Sequence, residues 1–256
     1  MSIWYEEKFL VDYRAVDPFG FCRASALLGY LQEAAIHAAE QIGTGREELI
    51  EEYHAIWLLA RMWYQLKEPI RRDDEITVRT WHRGGRGATM YRDYDIIRDG
   101  EVIGEGVSAW VLVDYETRML KRLSLVSQFL NTDGGEMCKK IALQKLRMPE
   151  GLPEAEVRRM GYSEADINGH INNAKYADIA CNAIQLERAG RGKFLASLQI
   201  GYLAETRPGD VLHLYAGERD GQYFVYGQDQ SGQKHFDAVL TLQSRKSWPM
   251  GGSFTR

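Results

Sequence analysis

Asp166-Ile167-Asn168-Gly169-His170-Ile171-Asn172-Asn173-Ala174-Lys175-Tyr176 has a counterpart earlier in the chain, Asp17-Pro18-Phe19-Gly20-Phe21, set 149 positions before it (166 − 17). Each stretch opens onto a helical pattern. After the first, Ala24, Leu27, Leu28, Leu31, Ala35, Ala38 and Ile42 recur at helical spacing up to a stop at Gly43. After the second, Tyr176, Ile179, Ala180, Ala183 and Leu186 mark a helix ending near Gly190. Four strand-like runs follow each helix, at 56–66, 75–81, 89–97 and 102–113 in the first half and at 195–203, 211–216, 223–228 and 236–243 in the second. Residues 9–13 also read as extended. The turns match too: Arg207-Pro208-Gly209-Asp210 stands where the first half has Arg72-Asp73-Asp74, and 229–233 where it has the tight-hairpin dipeptide Asp99-Gly100. The chain reads as an internal duplication.

A long helix followed by an antiparallel meander, with Ala-rich helix faces that let a sheet approach closely, describes a sheet wrapped around a central helix. This is the hotdog architecture, of α+β class, present here twice as a double hotdog in one chain. The expected units are residues 1–128 and 157–256. The segment 129–156 between them, with Asn131-Thr132-Asp133-Gly134-Gly135, a basic run, Pro149 and Pro153, has the composition of a linker. Pairing the two sheets edge to edge gives each edge a partner.

The duplication also sharpens the search for a site. Where the second copy has Asn168 and His170, the first has Phe19 and Phe21. Singly, Asp166, Asn168 or His170 is more simply a cap or turn residue. Together they crowd a carboxylate, an amide and an imidazole just ahead of a helix, whose free N–H groups and dipole suit a developing oxyanion. Chemistry is therefore expected in the second half, and an apolar ligand in the first. Gly20 and Gly169 match and are read as serving backbone geometry.

Composition limits the alternatives. The 256 residues are 45% hydrophobic, ample for a large core. A net charge of -4 argues against a binder that tracks nucleic-acid phosphate. Cys22, Cys138 and Cys181 have no paired spacing and leave one odd thiol, which points to a reducing compartment and to no metal site. The first residues carry carboxylates where a signal peptide carries positive charge, and no run is long enough to span a bilayer, so a cytoplasmic protein without membrane insertion is expected.

Asp166-Ile167-Asn168-Gly169-His170-Ile171-Asn172-Asn173-Ala174-Lys175-Tyr176 resembles the D-x-N-x-H-x-N-N-x-K-Y signature of the acyl-acyl carrier protein thioesterases, fused double-hotdog enzymes of plants and bacteria. A second element, Tyr202-Leu203-Ala204-Glu205-Thr206, is similar to the family's strand carrying an acidic residue, which plant members follow with cysteine. The resemblance implies hydrolysis of acyl-[acyl carrier protein] to free fatty acid, with catalytic residues Asp166, Asn168, His170 and Glu205 and no cofactor. It implies an acyl tail in the first unit, with Trp57, Leu59, Met62 and Trp63 as either tunnel lining or plain core. The expected partner is an acyl carrier protein bearing a phosphopantetheine-linked chain, docked on one of the basic patches at 71–72, 118–122, 139–140 or 158–159; the chain itself is expected as a monomer or homodimer. Thr206 departs from the cysteine. An unactivated hydroxyl is a far weaker nucleophile than a thiolate, so water becomes the expected nucleophile, deprotonated by Glu205 and His170 together, with Asn168 and backbone N–H groups facing the oxyanion and Asp166 orienting Asn168 or His170. Without the resemblance, Glu205 reads equally well as a strand-end carboxylate paired with Arg207. Two other functions fit the same residues: an acyl-CoA thioesterase, which shares the pantetheine thioester, and an acyl-binding sensor without turnover.

Overall fold

The computed structural model describes residues 4–126 and 134–244; Asn131-Thr132-Asp133 of the expected linker, and its start at 129, lie outside the described residues. The first apolar stripe forms α1 (Ala24–Glu40), which buries Leu27, Leu28, Leu31, Ala34 and Ala35. A short α2 follows at Arg46–Tyr53. The second stripe forms α3 (Lys175–Ala183) and then breaks, because Gln185 takes a left-handed φ of 51° before the single turn α4 (Leu186–Ala189). One continuous helix ending near Gly190 was the expectation; the structure divides it in two.

The strands are β1 (Tyr5–Leu10), β2 (Ala55–Leu66), β3 (Glu75–Arg86), β4 (Thr89–Arg98), β5 (Glu101–Asp114), β6 (Glu154–Arg159), β7 (Lys193–Tyr202), β8 (Val211–Arg219), β9 (Gln222–Gln228) and β10 (Lys234–Ser244). They form one antiparallel sheet in the order β1-β3-β4-β5-β2-β7-β10-β9-β8-β6. Read outward from the middle, the two halves have the same connectivity, as a duplication requires. The seam is β2 against β7, running from Arg61↔Gly201 to Gln65↔Ser197 with Trp63↔Gln199 at its centre. Each half thereby covers an edge that the other would leave open.

Directly opposite residues on neighbouring strands share a face. Met62, Tyr64, Leu198 and Ile200 therefore face inward with α1 and α3, in one core common to both halves. Leu59 and Met62 belong to this core, whereas Trp63 packs on the outer face and Trp57 packs against a separate small cluster of Leu49, Ala55, Leu112 and Val126. The interior of the first half also holds polar groups. Arg92, 4% exposed, donates to Thr80 Oγ1 at 3.4 Å, while Ser108 Oγ receives the Trp110 indole N–H at 2.7 Å and meets Tyr94 Oη at 2.9 Å. Burial lowers the pKa of the Arg92 guanidinium.

The segment between the units runs along the outer face without regular structure from Cys138 to Glu150 and is held by its own contacts. Leu143 is buried with Val107 and Ala109, Lys139 pairs with Asp95 and Glu105, and the Gln144 carbonyl accepts from Gln199 Nε2 at 2.7 Å. β6 begins at Glu154, inside the segment expected to be linker, and forms the outer edge of the sheet in the second half, paired with β8. Likewise the first strand occupies Tyr5–Leu10, ahead of most of the extended run expected at 9–13, where Tyr13–Ala15 forms a 3-10 turn.

Asp237 on β10 is 4% exposed, and burial pushes its carboxyl up from 3.8 to about 6, against the opposing pull of Lys234, Lys145 and Arg61. The folded chain therefore keeps this proton where the unfolded chain has lost it. The resulting stabilisation is complete below the unfolded value and is lost as pH rises through about 6. Asp237→Asn should raise the unfolding free energy at pH 7 by about 1–2 kcal/mol and leave it nearly unchanged at pH 4, as read from urea unfolding at the two pH values.

Candidate active site

Asp166 to His170 forms a closed turn. The Asp166 N–H donates to the His170 carbonyl at 2.8 Å, the Gly169 N–H to the Asp166 carbonyl at 3.0 Å, and the Asn168 N–H to Asp166 Oδ1 at 2.8 Å. Gly169, at φ 73°, supplies the left-handed step that side chains resist. The first half builds the same turn: Asp17 N–H to Phe21 O at 2.7 Å, Gly20 N–H to Asp17 O at 3.0 Å, Phe19 N–H to Asp17 Oδ1 at 2.9 Å, and Gly20 at φ 78°. Because a turn flanked by Phe19 and Phe21 needs its aspartate equally, Asp166 is accounted for by geometry before chemistry is invoked.

The turn is not itself a helix N-terminus. It closes on an isolated bridge, Ala165↔Ile171, and α3 starts only at Lys175, with Asn172 Oδ1 accepting from the Ala174 N–H at 2.9 Å. Asn168 and His170 thus lie in the turn ahead of the helix, and the free N–H groups of the helix start belong to residues further along the chain.

One backbone bond brings the two candidate elements together. The Ile171 N–H donates to the Thr206 carbonyl at 2.8 Å, so the preceding residues, His170 and Glu205, stand side by side with Nε2 3.1 Å from Oε2. The first half has the matching bond, Cys22 N–H to Ile70 O at 2.8 Å, and there Phe21 and Pro69 replace the imidazole and the carboxylate. Glu205 does not meet Arg207. Its Oε1 lies 3.6 Å from Nε of Arg118, a residue of the first half. Asn168 likewise receives a bond from the first half, with Arg46 Nη2 donating to its Oδ1 at 3.3 Å. Both guanidinium carbons lie 5.9 Å from the ring centroid of Tyr115. Sequence reading missed Arg46 altogether and treated Arg118 as one of a docking patch, since neither has a local signal linking it to residues so distant in the chain.

Thr206 points elsewhere. It is buried, with Oγ1 2.8 Å from His235 Nδ1 and in contact with the Tyr176 hydroxyl, whose pKa burial raises to about 12. Burial likewise pushes the Cys22 and Cys181 thiols up to about 12, which suits inert packing groups and not a thiolate nucleophile. Among the described residues no cluster of His, Cys, Asp and Glu is arranged to hold a metal ion.

The family models for the acyl-ACP thioesterase N-terminal domain and C-terminal domain match residues 3–125 and 153–244. The chain belongs to the acyl-ACP thioesterase family. Acyl-ACP thioesterases to which it is similar include the oleoyl-acyl carrier protein thioesterase of Coriandrum sativum, 26% identical over an alignment of 233 positions that covers 81% of this chain and 61% of that one. The dodecanoyl-[acyl-carrier-protein] hydrolase of Cinnamomum camphora is 24% identical over an alignment of 224 positions that covers 81% of this chain and 58% of that one. The chain thus spans about three fifths of the length of these curated relatives. Among solved structures, an acyl-ACP thioesterase from Bacteroides thetaiotaomicron superposes with a TM-score of 0.79 at 21% identity, covering 95% of this chain and 100% of that one. The 12:0-ACP thioesterase from Umbellularia californica gives 0.78 at 18% identity, with 96% and 99% covered. These likenesses establish the double-hotdog fold.

If the two aspartates are turn formers first, Asp17→Ala and Asp166→Ala should each lower the unfolding free energy in urea by roughly 1–2 kcal/mol, the scale of a lost charge-assisted hydrogen bond. Asp17 should be the costlier, because its Oδ1 also accepts from the Phe21 N–H at 2.9 Å.

Proposed function

We propose that the chain hydrolyses the thioester of acyl-[acyl carrier protein], releasing free fatty acid and the carrier's pantetheine thiol, with water as nucleophile. The observation that carries this reading is the His170–Glu205 contact, 3.1 Å across two elements joined by the Ile171–Thr206 bond, with Asn168 on the same turn. A charged Glu205 accepts from His170 Nε2–H. That tautomer leaves the lone pair on Nδ1, the atom that takes a proton from water as the oxygen attacks the thioester carbon. The carbonyl oxygen becomes an oxyanion beside the Asn168 amide, and its collapse breaks the C–S bond. The proton held by the imidazole then passes to the departing thiolate. Asp166 acts through the turn, by holding Asn168 and His170 at adjacent corners.

Water is favoured over an acyl-enzyme because the residue at the plant cysteine position, Thr206, is buried and engaged with His235. The carrier-bound substrate is favoured by the family and by relatives named for acyl carrier protein thioesters. The apolar interior around α1 is the proposed place for the acyl tail, and the units 1–128 and 157–256 divide the work into binding and chemistry.

His170→Ala and Glu205→Ala should each lower kcat by about 10²- to 10⁴-fold with folding intact. Thr206→Val, by contrast, should keep turnover within about threefold while costing roughly 1–3 kcal/mol of stability, because His235 Nδ1 loses the hydroxyl that it faces. Steady-state hydrolysis of an acyl-carrier-protein thioester, paired with a thermal melt of each variant, checks all three; near-normal turnover in both Ala variants would sink the scheme.

A further inference from the structure

Arg46 and Arg118 come from the half of the chain that lacks the His, Asn and Glu, yet each ends on one of those groups. Arg46 stands at the start of α2, and Arg118 in the turn that follows β5. That turn is tightly built. Asp114 Oδ1 accepts from the Thr117 N–H at 3.0 Å, from the Thr117 hydroxyl at 3.0 Å and from the Glu116 N–H at 3.2 Å, and its other oxygen lies 3.1 Å from Lys121 Nζ. Arg118 itself sits at φ 59°, a left-handed conformation that long side chains rarely take without surroundings that impose it. The turn is closed by the Arg118 N–H on the Asp114 carbonyl at 3.0 Å and by the bridge Val113↔Leu120.

The chemistry of the two contacts is directional. A guanidinium carries five donors and no acceptor, so the Asn168 atom that faces Arg46 must be the amide oxygen. The amide nitrogen, with both its hydrogens, is then turned away from Arg46 and is left to donate to a substrate oxygen. At Glu205 the two carboxylate oxygens are divided between two halves of the protein, Oε2 toward His170 at 3.1 Å and Oε1 toward Arg118 at 3.6 Å. Arg118 thus fixes the rotation of the carboxylate that orients the imidazole. Side-chain exposures of 36% and 41% mean that solvent screens this pair, so its contribution is orientation more than stability.

We propose that Arg46 and Arg118 are positioning residues of the thioesterase site, Arg46 setting the Asn168 amide with its N–H groups toward the substrate carbonyl and Arg118 setting the Glu205 carboxylate against His170. The proposal rests on the hydrolytic reading above. It makes the site a joint product of both halves: the first half contributes two orienting cations, in addition to whatever it contributes to tail binding.

The test is a pair of double-mutant cycles on the full chain, measured as kcat and KM for one acyl-carrier-protein thioester. Arg46→Met and Arg118→Met should each lower kcat about tenfold, a fraction of the 10²–10³ that loss of an oxyanion donor costs, with KM within about twofold. Arg46→Met added to Asn168→Ala, and Arg118→Met added to Glu205→Gln, should cost less than about twofold more, because each arginine acts only through its partner. Arg118→Lys should recover part of kcat, since a cation still faces Oε1. Additive losses, single losses below twofold, or an effect confined to KM overturn the proposal while leaving the hydrolytic reading in place. Absence of wild-type turnover, or full activity in Asn168→Ala and Glu205→Gln, overturns that reading and this proposal with it. Thermal melts of the variants separate either result from misfolding.

Discussion

Everything else in the molecule depends on the antiparallel seam between β2 and β7, centred on Trp63↔Gln199. A hotdog sheet ends in a strand whose backbone groups lack a partner on one side, and two fused copies resolve this by pairing at those edges. The seam makes one sheet from two, places α1 and α3 against each other on its inner face, and merges their apolar stripes into one core. It also fixes the distance between the loops of opposite halves. Arg46, at the start of α2, and Arg118, in the turn after β5, reach Asn168 and Glu205 across this join.

Within this frame the two copies show how a polar cluster can be set on a scaffold without altering it. The turns at 17–21 and 166–170 share their aspartate, their left-handed glycine and their closing bonds. The bond that ties each turn to its neighbouring strand is also shared, Cys22 to Ile70 in one copy and Ile171 to Thr206 in the other. What differs is the side chains set on that backbone: Phe19, Phe21 and Pro69 in the first copy, Asn168, His170 and Glu205 in the second. The backbone geometry that brings an imidazole to a carboxylate is present twice, and it is furnished with polar groups once.

The parts legible in the sequence were those with a periodic or repeated signal. The helix at 24–40 announced itself through its Ala and Leu stripe, the long strands through their apolar runs, and the duplication through its turns. Elements without such a signal were missed for identifiable reasons. α2 reads Arg-Glu-Glu-Leu-Ile-Glu-Glu-Tyr and buries only Leu49, so it has no apolar face to detect. β6 is an edge strand of charged residues, Glu-Ala-Glu-Val-Arg-Arg, steadied by Arg158 bonding Glu164 at 2.6 Å. The left-handed Gln185 that divides α3 from α4 is a backbone choice that no glycine signals. Inward-facing Thr80, Arg92 and Ser108 interrupt an interior that alternation alone would make apolar. In the candidate site, Asn168 and His170 stood out because one copy could be compared with the other, whereas Arg46 and Arg118 reach these groups from more than 80 positions away with no local signal.

The central claim is that this one polar copy hydrolyses a carrier-bound acyl thioester. Its most direct test is product release from acyl-carrier-protein and acyl-CoA thioesters of matched, graded chain length, with wild-type protein beside Glu205→Ala. The account predicts free fatty acid from the carrier-bound series, at much higher kcat/KM than from the CoA series, and its near-complete loss in the variant. Efficient hydrolysis of the CoA series alone, or tight acyl binding with no product from either series, would contradict it.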